Sequence, residues 1–424
     1  MCPAHSMEKA LPHQQQQLEK LNALLARITQ GDSYYRRTVD AHFSGNDPVV
    51  NELADFCTSF PFTTKDDLLR DRELHPPFGR NLTKPIDRYT RFSQTSGTST
   101  GQPMTVVDTP ESWETMLATW REVYRHAGLK PGEERLFFAF GFGPFLGFWT
   151  AFEAAACHYL CIPGGGLDSR ARLAHMARLG ATVLCCTPTY AIRLGQMLGT
   201  DGCPEASTLA VHTILVAGEP GGSIMPVREK ITRLWSGARV YDHHGMTESG
   251  PISWQHPQRP GILCLDHHRY LCEIIDPESG REVSDGGEGE LVLTTLARTA
   301  SPLLRYRSGD RVRKLLIDGL THLEGGILGR ADEMRIIRGV NLYPAALEEL
   351  VQSFAAVEEF QVVEREIDAM SELLLRIETS QAGIAQGIEQ ALRERFALRI
   401  PVAEVAAGSL PRYEFKSQRW TRET

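Results

Sequence analysis

Ser93-Gln94-Thr95-Ser96-Gly97-Thr98-Ser99-Thr100-Gly101-Gln102-Pro103 leads directly into Met104-Thr105-Val106-Val107, which reads as a strand. Five hydroxyl side chains and two glycines lie between Gln94 and Gln102, a composition that packs a core poorly. It suits an anion: glycine lets the backbone come close, turning N–H groups converge, and hydroxyls add neutral donors. There is no Gly-Lys-Ser/Thr ending, so the stretch is not a Walker P-loop. A plain Ser/Thr/Gly surface turn would have the same composition, and the reading is decided by what surrounds it.

Upstream, Leu18, Leu21, Leu24, Leu25 and Ile28 recur at helical spacing, and Gln14-Gln15-Gln16-Gln17 is expected on the solvated face of that helix. Downstream, Thr109-Pro110 reads as a cap and first helical position. Strands are then expected at 136–140, 182–187, 213–217 and 239–242, with helices at 147–159, 169–179, from Pro188, and at 224–235. This βαβ rhythm predicts a parallel sheet covered on both faces, with ligands at the carboxyl ends of the strands. From Gly261 to Asp310 the pattern becomes short strands and turns. After Asp332 it becomes a compact α+β unit, with strands at 334–337, 359–364 and 373–378 and helices at 344–354 and 384–396.

The length of 424 residues favours two domains. Formal charge is −8, from 45 basic against 53 acidic residues, without a basic run, which argues against nucleic-acid binding. Nine scattered cysteines without regular spacing fit reduced thiols, and no apolar stretch is long enough for a membrane helix. Together with an N-terminus lacking a basic-then-apolar pattern, these features predict a cytoplasmic protein.

Ala217-Gly218-Glu219-Pro220, His244-Gly245-Met246-Thr247-Glu248, Arg305-Tyr306-Arg307-Ser308-Gly309-Asp310, Gly329-Arg330-Ala331-Asp332 and Lys416 follow the hydroxyl-rich loop in that order. In order and spacing the set resembles the adenylate-forming superfamily. It is most similar there to the phenylacetate-CoA ligase family, whose pattern is echoed by Pro61-Phe62-Thr63-Thr64-Lys65-Asp66-Asp67-Leu68. The resemblance runs from Leu53 to Arg419. It implies an α/β fold: a large adenylate-forming domain over 1–331, with mainly parallel sheets flanked by helices, and a small mobile α+β domain over 332–424.

The resemblance also implies roles. Thr95, Ser96, Gly97, Thr98, Thr100 and Gly101 would contact the β- and γ-phosphates of ATP. Thr247 would reach the α-phosphate, and Glu248 would hold Mg2+, a hard cation suited to oxygen ligands. Gly218, Glu219 and Pro220 would border adenine, with Gly245 and Met246 beside it and His244 where the family carries a tyrosine. Asp310 would bind both ribose hydroxyls, with Arg330 as an added donor. Asp332 would be the hinge, and Lys416 would bridge acyl carboxylate and α-phosphate. Phe140, Gly141, Phe142, Gly143, Thr187, Pro188 and Tyr190 fall where the family surrounds its acyl group. Gln102 stands where lysine is common and Phe415 where glycine is usual.

The implied reaction is ATP-dependent activation of an aryl or arylacetic acid and transfer to coenzyme A, releasing AMP and pyrophosphate, in a chain that can be a homodimer. The alternatives are acyl transfer to a carrier-protein phosphopantetheine or an amine, and a non-catalytic nucleotide-binding module. Residue by residue, plainer readings stay open: Thr247-Glu248 as the first turn of a helix, Asp310 as a turn aspartate, the phenylalanines as core. His256, Cys264, His267, His268 and Cys272 are a candidate zinc set, weighed against exposed histidines and buried thiols.

Overall fold

The computed structural model describes residues 4–95, 103–200, 202–338, 340–367, 370–413 and 418–423, without the side chains of 4–12, 332, 341, 366, 367 and 370. The chain divides into two compact units that do not follow chain order. One comprises Met1–Glu134, Gly141–Cys161 and His243–Gly326; the other comprises Arg135–Phe140, Ile162–Asp242 and Ile327–Thr424. The expected boundary at 331/332 falls inside the second unit, which holds both the C-terminal segment and the central sheet.

In the second unit, Arg135–Phe138, Val183–Cys186, Thr213–Val216 and Arg239–Asp242 lie side by side and parallel, with Leu136 opposite Val183, Val183 opposite Thr213 and Thr213 opposite Arg239. Val183–Cys186 and Thr213–Val216 are buried at every residue, as expected of parallel strands covered on both faces. The covering helices start where their caps are. Asp168 accepts from the Ala171 N–H to open Ser169–Leu179, and Thr187 accepts from the Tyr190 N–H with Pro188 in the first turn of Pro188–Met197. Helix Met225–Leu234 adds Val227 and Ile231 to the core beneath.

The C-terminal part of that unit has its own core, with Leu347, Val351, Val362, Leu375, Ile377, Ile388 and Leu392 at its centre. Strands Val357–Ile367 and Met370–Thr379 pair antiparallel, flanked in parallel by Trp420–Glu423 and Val402–Val405. Helices Pro344–Gln352 and Ala385–Phe396 pack on them through buried Leu347, Val351, Ile388 and Leu392.

The first unit is built on an antiparallel sheet in the order Ser253–Gln255, Ile262–Leu265, Leu320–Arg330, Tyr306–Ile317, Glu288–Thr295, Tyr270–Ile275. The sequence reading expected short strands and turns up to Asp310; instead one strand runs on to Ile317 and turns back into Leu320–Arg330. The turn is Asp318-Gly319, both at positive φ (51° and 78°), the dipeptide that a two-residue hairpin favours. Helix Ala4–Thr29 docks here, burying Leu21, Leu24, Leu25 and Ile28 against a cluster that includes Leu271, Leu296 and Leu304. Gln17, expected in solvent, is buried and donates to the carbonyls of His267 (3.0 Å) and Tyr270 (2.9 Å), because two exposed carbonyls on the sheet side meet that turn of the helix.

Candidate active site

Glu248 sits in the turn between the two-residue strands Gly245–Met246 and Gly250–Pro251, so the Thr247-Glu248 pair does not open a helix. Gly245 is required there: a Cβ would lie 2.8 Å from the Pro251 Cα and 2.9 Å from the Gly250 oxygen. The turn is held from behind by Arg298, which sequence reading did not single out. Its guanidinium forms a fully buried fork with Asp108 and donates to the carbonyls of Thr247 and Glu248. Asp108 ends Thr105–Asp108, the strand that follows the hydroxyl-rich loop, so one buried ion pair ties two of the recognised stretches together.

The segment Pro61 to Asp67 completes this side. Thr63 exchanges backbone hydrogen bonds with Arg305 and Arg307 (3.0 and 2.9 Å), and the Arg305 guanidinium lies 4.0 Å over the Phe62 ring. Thr64 and Asp67 form a capping box that starts helix Lys65–Leu74. That register brings Lys65 Nζ to 3.6 Å from Glu248 Oε1, although the carboxylate is 9% exposed and the lysine sits at the positive end of its helix. A cation at that end is favoured only where negative charge faces it. The motif was legible in sequence; the pairing of Lys65 with Glu248 was not.

Asp310 lies inside strand Tyr306–Ile317, not in a turn, and is 3% exposed. Its N–H donates to Ser308 Oγ (3.0 Å), and its Oδ2 lies 3.0 Å from His244 Nε2. His243, the neighbour, is buried against Trp120 with ring centroids 4.3 Å apart and hydrogen-bonds the Ser253 carbonyl; burial lowers its pKa to about 4, so it is a neutral core histidine. The paired histidines are thus told apart by their surroundings.

Thr95 and Met104 close the neck of the hydroxyl-rich loop: the Thr95 N–H donates to the Met104 carbonyl (3.0 Å), and Thr95 Oγ1 accepts from the Met104 N–H (2.8 Å). Ser96, Gly97, Thr98, Thr100, Gly101 and Gln102 lie outside the described residues. Lys416 and Phe415 do so as well. Phe142 packs on Trp149 and Phe152 (5.0 and 5.2 Å), and Gly143 accepts from the Trp149 indole (2.9 Å), so this part of the expected acyl wall belongs to the aromatic face of helix Leu146–Ala156.

In the second unit, the loop after strand Thr213–Val216 is fixed by short-range contacts. Gly218 adopts φ +92°, and Glu219 Oε1 accepts from the Thr189 N–H (2.8 Å), bracing the start of helix Pro188–Met197. Gly222 could carry no side chain, since a Cβ would stand 2.3 Å from Asp242 Oδ1, and Ser223 donates to the same carboxylate. Pro220 is exposed, and Thr187 caps the helix. Tyr190, expected to line the acyl group, is a core residue at 1% exposure whose hydroxyl meets Ser169 Oγ (2.9 Å) and Arg172 (2.7 Å). Its place in the first turn of a helix on the buried face of the sheet forces this. Phe140 is buried edge-on to Phe138. Arg330 ends strand Leu320–Arg330, and Asp332 falls in the 3₁₀ turn Ala331–Glu333.

The candidate zinc set is not assembled: among the described residues no group of three or more His, Cys, Asp or Glu side chains could hold a metal. His267 is half-buried, donates from Nε2 to the Thr321 carbonyl (2.7 Å), and has its pKa lowered to about 4 by desolvation, while burial raises the thiol pKa values of Cys264 and Cys272. Among the described residues no helix is long and apolar enough to cross a membrane.

Residues 90–297 match the AMP-binding enzyme family, and 339–422 match the AMP-binding enzyme C-terminal domain. The chain is 32% identical over 377 residues to a phenylacetate-coenzyme A ligase of Thermus thermophilus, covering 86% of this chain and 81% of the relative. To the phenylacetate-coenzyme A ligase of Escherichia coli K12 it is 29% identical over 436 residues, covering 95% and 93%. Among solved structures, a 2-hydroxyisobutyryl-CoA ligase in a postadenylation state, bound to R3-HIB-AMP, superposes with a TM-score of 0.87 at 25% identity, over 96% of this chain and 89% of that one. The same ligase gives 0.72 in its thioesterification state with 2-HIB-AMP and CoA, over 98% and 90% of the chains at 26% identity. In an open conformation it gives 0.70, over 96% and 91% at 25% identity. With both family matches in chain order and a relative this similar along most of its length, the chain belongs to the AMP-binding enzymes and is a homologue of the phenylacetate-coenzyme A ligases.

Proposed function

We propose that this protein is an AMP-forming acid–coenzyme A ligase that takes an aryl or arylacetic acid. The observation that carries the reading is the pairing of two buried carboxylates with basic side chains in one unit, Glu248 with Lys65 and Asp310 with His244, at the positions that the family pattern marks. The substrate carboxylate oxygen attacks the α-phosphorus of ATP, the bond to the β-phosphate breaks, and pyrophosphate leaves. The thiol of coenzyme A then attacks the acyl carbon, the bond to AMP breaks, and the thiol proton passes to solvent.

Each residue has a task in this scheme. Asp310 accepts from the ribose hydroxyls, with His244 Nε2 standing 3.0 Å from that carboxylate. Glu248, an oxygen donor with little solvent around it, fits a hard divalent cation, and Mg2+ bound there would neutralise phosphate charge. Lys65 supplies a fixed positive charge beside it, a task that the loop leaves open by carrying Gln102. Thr247 donates to the α-phosphate, and Lys416 neutralises the pentavalent centre. The segment from Asp332 onward swings between the two half-reactions about the Ala331–Glu333 turn.

A pyrophosphate-release assay with ATP and a panel of aromatic and aliphatic acids tests the reading, with AMP as the expected second product; ADP in its place would overturn it. Supplying coenzyme A or a phosphopantetheinylated carrier protein identifies the acceptor. We expect Lys65→Ala to slow pyrophosphate release roughly a hundredfold. Asp310→Asn should raise the KM for ATP roughly tenfold and change kcat less.

A further inference from the structure

Helix Met225–Leu234 carries Lys230, whose ammonium donates to the carbonyls of Val357 (2.8 Å) and Glu358 (3.2 Å) at the start of strand Val357–Ile367. Gln196, from helix Pro188–Met197, donates to the same Glu358 carbonyl (3.1 Å). Donors on two helices of the central sheet thus grip one turn of the C-terminal segment, all within one compact unit.

The gripped strand also holds the chain at Arg419 and Trp420. Its Glu359 takes the Arg419 guanidinium (2.7 Å), and its Val362 N–H donates to the Arg419 carbonyl (2.8 Å). Arg419 also lies 3.6 Å from Glu348, which accepts from the Trp420 indole (3.1 Å). Arg419 and strand Trp420–Glu423 are therefore seated on the strand that Lys230 holds.

We propose that Lys230 is a positioning residue that holds the C-terminal segment on the central sheet in the arrangement serving adenylate formation, and that its hydrogen bonds break when the segment turns for the thioester step. The inference rests on the two-step reading above. Two features support a reversible contact. Among the described residues Lys230 makes no ion pair; desolvation outweighs the more distant charges of Glu359 and Glu358 and lowers its pKa to about 8. The chain also superposes on the 2-hydroxyisobutyryl-CoA ligase at 0.87 in the postadenylation state against 0.72 in the thioesterification state. A contact made in one state only shifts the balance by its own differential energy, about ten- to a hundredfold for hydrogen bonds from a charged donor.

The test is Lys230→Met, which keeps the apolar stem and removes the donors. Its rate of pyrophosphate release from acid and ATP should fall about ten- to a hundredfold, with thioester formation from supplied acyl-adenylate and coenzyme A unchanged or faster. Gln196→Leu should shift the same ratio less. Equal losses in both half-reactions, or no loss in either, would overturn the proposal. Hydrogen exchange reads the contact without chemistry: amides at 357–360 should exchange faster in Lys230→Met than in the parent, and unchanged exchange sinks it. If the parent releases no pyrophosphate with any acid, the functional reading falls, and the exchange result still decides the contact.

Discussion

Two arginine–carboxylate pairs hold backbone beside the chemical stretches, and they do so in opposite ways. At Arg298–Asp108 both partners are about 1% exposed, and the arginine does the holding: its spare donors reach the carbonyls of Thr247 and Glu248. At Arg412–Glu378 the carboxylate holds. Glu378 is fully buried and accepts from the N–H groups of Gly408 and Leu410 (2.9 and 2.6 Å), while Arg412 stays 22% exposed. A dry pair cannot lose a partner without stranding a charge; a pair open on one side lets water replace the arginine.

The sharpest way to break the comparison is Arg298→Ala. It leaves Asp108 buried and uncompensated, and should cost about 3–5 kcal/mol in denaturant unfolding. Arg298→Lys keeps the charge without the fork; it should recover most of that stability but not the rate of pyrophosphate release, because one ammonium cannot serve Asp108 and two carbonyls together. Glu378→Gln should cost about 1–3 kcal/mol, since an amide cannot replace a carboxylate that accepts from two N–H groups and a guanidinium. Arg412→Ala should cost less than either, and an equal or larger loss there would mean that its exposure misleads.

The same pair has a pH signature. Burial works against the charged form of Glu378, yet Arg412 and the N–H groups of Leu410 and Gly408 hold its pKa down to about 2, from 4.5. A depressed carboxyl stabilises the fold fully above pH 4.5, and the contribution is lost as pH falls from 4.5 toward 2. Unfolding free energy of the parent should therefore fall more steeply than that of Glu378→Gln across that window, and parallel curves would refute the assignment.

Much of the molecule was legible in the chain because its signals are local. Thr109-Pro110, Asp168 and Thr187-Pro188 start helices wherever they occur before an apolar repeat, and continuous runs such as Thr182 to Thr187 announce a buried strand. Asp318-Gly319 carried an equally local signal that was passed over, and with it the long hairpin that bears Asp310. Gln17 was misplaced for another reason, which also hid the hydroxyl partners of Tyr190: the pattern of a helix states which face is apolar, not which partner lies across from a polar group.

Sequence alone determined the order of most elements and the family, and it marked Glu248 and Asp310 as candidates, since composition and spacing are properties of the chain. Only the tertiary structure decided that Lys65 faces Glu248, that His244 rather than His243 meets Asp310, and that Arg298 reaches across 190 positions to Asp108. Those pairings depend on which charges are dried together, and burial is settled by the packing of distant segments.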